Sequence, residues 1–125
     1  MRLLRRVVRA YHAARAHQQF ADSEYQAALH SLEAMRLISD LSPSERFWSY
    51  YPLVLNGDFD LAFDLLDDIC RDTEPAHDEE SRLINLCARA ARAQTHGDKP
   101  LQQELLRQAK LVKTKLVVRR WAMLD

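Results

Sequence analysis

The amino-acid sequence predicts an all-α fold of about six helices arranged as three antiparallel hairpins, and three observations lead there. The first is a repeat: Tyr25, Ala28, Leu29 and Leu32 recur 34 residues later as Phe59, Ala62, Phe63 and Leu66. A period of that length in a chain rich in alanine and leucine marks a helix-hairpin repeat. The second is punctuation. Gly57 and Gly97 are the only glycines, and each is followed by aspartate; glycine takes the positive φ that ends a helix, and aspartate can cap the next one. The third is spacing, since Leu61, Leu65, Leu66 and Ile69 fall at i, i+4, i+5 and i+8, while Leu101, Leu105, Ala109 and Val112 recur every three or four residues. These are helical intervals, and strand-type alternation appears at no useful length.

The segments follow in order. Residues 2–20 form the first helix, with Arg2, Arg5, Arg6 and Arg9 on nearly one side and Leu3, Leu4, Val7, Val8 and Tyr11 spread round the rest. An acid-free, arginine-rich amphipathic start also has the composition of a mitochondrial transit peptide, the alternative to a first helix of the fold. Asp22-Ser23 breaks the chain before a second helix at 23–39. Ser42-Pro43-Ser44-Glu45 then offers an N-cap, a proline suited to the first helical position and a glutamate that reaches back, so a third helix starts at Pro43 and runs over 43–56. Pro52 removes one hydrogen bond inside it and is expected to bend it. Gly57-Asp58 leads into a fourth helix at 58–72. The polar stretch Thr73–Asp78 precedes a fifth at 78–96, and Gly97-Asp98 opens an extended last helix at 98–122. The hairpins are thus about 2–39, 43–72 and 78–122, in one domain.

Paired across these turns, the helices resemble the tetratricopeptide repeat. The residues that carry the resemblance are Ala16, Ala28, Leu32 and Met35 in the first hairpin and Gly57, Ala62, Leu66 and Ile69 in the second. In the third they are Leu86, Ala90, Gly97, Leu106 and Ala109, displaced by 40 residues because the Thr73–Asp78 connection is longer. Tyr50 and Gln102 stand where that family has small residues, and each is expected to open its hairpin or rotate its helices. The resemblance implies a short, irregular solenoid, with a six-helix bundle as the competing arrangement; about three stacked hairpins are the minimum that bury the shared apolar faces. It also implies a non-enzymatic protein–protein interaction module, adaptor- or chaperone-like, that holds a peptide or helix of a partner protein in the groove of its first helices.

Composition narrows the function classes. The formal net charge is zero, but the charge is blocked. Residues 1–21 hold five arginines and no acid; residues 58–80 hold ten acids against Arg71; residues 81–125 hold ten bases against Asp98, Glu104 and Asp125. Such blocks suggest faces of opposite sign that steer a complementary partner. Cys70 and Cys87, without a C-x-x-C spacing or a secretory pattern, read as buried free thiols in a reducing, cytoplasmic setting. No apolar run approaches the roughly 18 residues of a membrane span. The five histidines make no ligand-spaced pair, neither cysteine has a positioned base nearby, and the two glycines are consumed in turns. No catalytic site, metal or cofactor is therefore expected.

Candidate contact residues lie in three places. Phe47, Trp48, Tyr50 and Tyr51 crowd one short helix, with Trp48, Tyr51 and Leu55 on one stripe and Phe47, Tyr50 and Val54 on another. Either both stripes are covered by the neighbouring hairpins, or the first, together with His17, contacts a partner in the groove that the resemblance implies. Asp64, Asp67 and Asp68 mark an acidic face suited to a basic partner, as an immunity or antitoxin protein would use. They fan along a helix rather than converging as a magnesium site requires. Arg5 and Arg6 mark a basic first helix that could meet nucleic acid or an anionic membrane surface. Lys110, Lys113, Lys115, Arg119 and Arg120 make the last helix basic as well, while Leu116, Val117, Val118, Trp121 and Met123 make it apolar enough to need cover. Self-association through the terminal helices is a further expectation.

Overall fold

Helix follows helix along the chain, because only short turns separate the apolar periods. The structure, a computed structural model, describes the backbone of residues 2–124 and the side chains of residues 2–116. Seven helical elements stand among the described residues: α1 (Arg2–Ala21), α2 (Tyr25–Ile38), α3 (Pro43–Phe47), α4 (Tyr50–Leu55), α5 (Phe59–Asp72), α6 (Glu79–Thr95) and α7 (Lys99–Leu124). Helix α1 packs on α2, the pair α3–α4 on α5, and α6 on α7, while α6 also meets α5 and α3. The fold is all-α, with no strand among the described residues.

The predicted third helix is two helices. Its start is as expected, with Ser42 Oγ accepting from the Glu45 backbone N–H at 3.2 Å and Glu45 Oε1 accepting from the Ser42 N–H at 2.9 Å. The break at Trp48-Ser49 lies one turn before Pro52, whose ring lacks an N–H and crowds the Trp48 carbonyl. The N–H groups of Trp48 and Ser49 turn instead to the carbonyls three residues back, Glu45 at 3.2 Å and Arg46 at 3.1 Å. Regular bonding resumes when Leu53 donates to the Ser49 carbonyl. The expected bend is therefore a full interruption.

Both glycines take the left-handed conformation, with φ of 79° at Gly57 and 72° at Gly97. Their aspartates differ. Asp98 Oδ1 accepts from the Leu101 N–H at 3.2 Å, whereas the Asp58 side chain makes no capping bond, so the second expected cap is absent. Asp78 caps α6 by accepting from the Ser81 N–H at 2.7 Å.

The 34-residue echo is a burial pattern. Ala28, Leu32 and Met35 of α2 and their counterparts Ala62, Leu66 and Ile69 of α5 are all at most 3% exposed. The other members of the echo, Tyr25 with Phe59 and Leu29 with Phe63, lie at the rims of their helices. Three apolar clusters result: Ala16, Leu32 and Met35 in the first hairpin; Leu66, Ile69, Cys70 and Ala88 between α5 and α6; and Leu86, Ala90, Ala93, Leu105, Ala109 and Val112 in the last. Tyr50, where a small residue was expected, packs beside the middle cluster and stacks on Phe47 at 5.9 Å between ring centroids.

Two buried polar contacts interrupt this apolar layer. Ser31 donates to Gln19 Oε1 at 2.6 Å and joins α1 to α2. Asn85 donates to Thr73 Oγ1 at 3.0 Å, while Thr73 donates to the Ile69 carbonyl at 2.6 Å, tying α6 to the end of α5. Each leaves its buried groups satisfied, as a low-dielectric interior demands. Cys70 is buried and Cys87 half-buried; both are free thiols, and burial raises the pKa of each above the ordinary thiol value.

Candidate partner-binding surface

The interruption between α3 and α4 sends the aromatic side chains in different directions. Phe47 and Tyr50 turn toward the middle cluster, where burial raises the Tyr50 phenol pKa. Trp48 turns the other way, against Ala16, Leu32 and Met35 of the first hairpin. Its ring lies 4.2 Å from that of His17 and 6.3 Å from that of Phe20, centroid to centroid. Trp48 therefore joins two hairpins, and His17, itself exposed, covers its edge.

The ring contacts continue. Phe20 lies 6.4 Å from Tyr25, and Tyr25 meets Tyr51 edge-on at 5.7 Å. One seam thus runs from His17 through Trp48, Phe20 and Tyr25 to Tyr51, along the contact between the first hairpin and α3–α4. Its last members are open to solvent: Tyr51 is 56% exposed, and Leu55, one turn further along α4, is 52% exposed. Of the predicted stripe, then, Trp48 serves packing while Tyr51 and Leu55 are free to contact a partner. Tyr25 and Phe20 belong to the same seam and were missed, because their place depends on how the hairpins meet rather than on spacing within a helix.

The acidic face is partly neutralised by the chain itself. Asp67 pairs with Arg92 at 3.4 Å, Asp72 with Arg46 at 2.8 Å, and Asp68 with Arg71. Asp64 is exposed, as are Asp58 and Asp60, and none of these three has an ion pair among the described residues. No group of three or more histidine, cysteine, aspartate or glutamate side chains converges on a point among the described residues.

The basic first helix is likewise divided. Arg5 donates to the Ile38 carbonyl at 2.8 Å and so satisfies the C-terminal end of α2. Arg9 forms a two-pronged pair with Glu45, at 2.9 and 2.8 Å, and donates to the Asp40 carbonyl at 3.2 Å. The Arg9 guanidinium, with help from Ser42, holds the Glu45 carboxyl below its usual range. Arg6 remains exposed, with no hydrogen bond or ion pair among the described residues. The apolar residues expected on the last helix beyond Leu116, together with Arg119 and Arg120, lie outside the described side chains; Leu116 packs on the third cluster. None of the described helices is long and apolar enough to cross a membrane. Comparison of the chain with models of known protein families, with curated proteins and with solved structures finds no match.

Proposed function

We propose that the chain is a non-enzymatic protein–protein interaction module, an adaptor- or chaperone-like protein of the tetratricopeptide type. On this reading its aromatic seam receives a helix or extended segment of a partner. The observation that carries it is the state of Tyr51 and Leu55: two large side chains more than half exposed, on a helix whose position is held by buried Pro52 and by Trp48 behind it. Rigidly supported aromatic anchors lose little entropy on contact and contribute disproportionately to binding. Tyr25, packed edge-on against Tyr51, extends the same surface onto the first hairpin.

The test is capture by the full chain from an extract of its native cell, with sizing of the captured complex. Tyr51→Ala with Leu55→Ala is expected to lower recovery of the partner at least about tenfold, the scale of losing one anchor, with the helical circular dichroism unchanged. Trp48→Ala serves as the contrast and should lower thermal stability. Recovery that is indifferent to the Tyr51 and Leu55 changes would overturn the proposal.

A further inference from the structure

The first half of α1 is built the wrong way round for a helix that closes a core. The stripe that carries Ala16 and Ala13 inward continues, toward the N-terminus, as Arg9, Arg5 and Arg2. Arg5 and Arg9 spend their donors on the α2 terminus and on Glu45. The apolar residues of the same turns, Leu3, Leu4, Val7, Val8 and Tyr11, lie on the outer side at 39–76% exposure. Together they form a patch on the order of 500 Å², in the size range of the largest apolar patch on a typical monomer, which is often functional. Arg6 borders it beside Leu3 and Val7, and Arg2 lies one turn before Arg6, at the edge of the inward stripe; neither arginine has an ion pair among the described residues.

A counterpart lies on α5 of the same chain. Phe59 and Phe63, four residues apart, are exposed at 50% and 39%. Asp60 and Asp64, also four residues apart, form the neighbouring row and have no internal ion pair among the described residues. Each helix thus carries a charged row beside an apolar row at the same spacing, with opposite sign of charge. Viewed from the N-terminus, the charged row precedes the apolar row on α1 and follows it on α5. Two such helices laid face to face and parallel set Arg2 and Arg6 against Asp60 and Asp64, and Leu3 and Val7 against Phe59 and Phe63. Laid antiparallel, they would cross charge with apolar surface. Pairing α1 with α1 of another copy is disfavoured, because residues 1–21 hold five arginines and no acid.

We propose that the outer face of α1 docks on the α5 face of a second copy of this chain. The contact is independent of the Tyr51–Leu55 surface, so its failure and that of the proposed function are separable. Two copies that make the contact reciprocally form a closed two-fold dimer, while a single contact per pair continues head to tail. The area available on each partner is below the roughly 800 Å² of a standard interface, the size class of weak and transient contacts.

Sedimentation velocity of the full chain over about 1 to 200 μM reads it directly. The expected result is reversible association that weakens at least about tenfold between about 0.02 M and about 0.5 M salt, as screened charge pairs require. Arg2→Glu with Arg6→Glu, or Asp60→Lys with Asp64→Lys, should each weaken it by a similar factor. All four changes in one chain should restore it, because glutamate then meets lysine. These side chains are exposed, and circular dichroism checks that each variant folds. A chain that stays monomeric at low salt overturns the proposal, as does association indifferent to either pair of changes, or a fourfold variant that fails to recover. Pelleting of a monomeric chain with vesicles of phosphatidylserine and phosphatidylcholine would assign the α1 face to lipid and overturn it as well.

Discussion

At the scale of single residues, Glu45 does more than its surface position in sequence suggests. One carboxylate completes the capping box with Ser42 and also accepts both prongs of Arg9 from α1, so the start of α3 is fastened to the first hairpin. The pair is largely shielded, with side chains 21% and 15% exposed, which places it above the ordinary surface ion pair. Because the folded carboxyl titrates below its usual value of 4.5, its stabilisation is fully present above that value and is lost as the pH falls through the lower, folded pKa. Glu45→Gln keeps the shape and a capping acceptor but removes the charge. It should cost about 1–2 kcal/mol at neutral pH in urea unfolding. The difference from the wild-type chain should shrink progressively below about pH 4.5; a difference that stays constant down to pH 3 would show that the charge is not what matters.

At the scale of elements, the turns and the broken helix obey different kinds of cause. Gly57 and Gly97 are local: each takes a positive φ, and a Cβ built at either would meet nothing within 4 Å. The cost of alanine there is therefore conformational alone, about 1–2 kcal/mol per site. Gly97→Ala and Gly57→Ala should each lower the urea midpoint with an unchanged slope, and a larger loss at either would mean that the turn makes contacts beyond its backbone. These turns were legible because glycine announces them without reference to the rest of the chain. The interruption at Trp48-Ser49 was legible only as a bend, since Pro52 shows that a bond is lost but not how the preceding turn redistributes its remaining donors. Cover of the two aromatic stripes by the neighbouring hairpins was one of two readings the spacing allowed, but the parting of Trp48 from Tyr51 within one stripe was not legible. Trp48 and Tyr51 share a stripe on an ideal helix, yet one is covered by the first hairpin and the other is not. Gln19, Ser31, Thr73 and Asn85 escaped for a related reason: hydrophobic patterning assigns polar residues to the surface, and only the facing helix shows that they pair inside.

At the scale of the whole molecule, the helical class and hairpin boundaries follow from periodicity and turns, while the contacts between hairpins depend on a few side chains. The first hairpin has its own apolar cluster of Ala16, Leu32 and Met35, and the last two share α6, which meets α5 on one side and α7 on the other. What fastens the first hairpin to the others is the aromatic seam centred on Trp48 and the Arg9–Glu45 pair. A chain of stacked units joined by unequal interfaces should open at the weakest one before it unfolds globally. Native-state hydrogen exchange should therefore find the amides of α1 and α2 opening at lower free energy than those of α6 and the first half of α7. Trp48→Ala removes the largest side chain from the seam and should widen that gap by about 2–4 kcal/mol, the usual cost of truncating a packed tryptophan, reduced here by its partial exposure. Protection in α6 should change little, because its contacts to α5 and α7 do not involve Trp48. If protection instead falls equally in all three hairpins, the molecule is a single cooperative unit and the seam is part of one core rather than a joint between two.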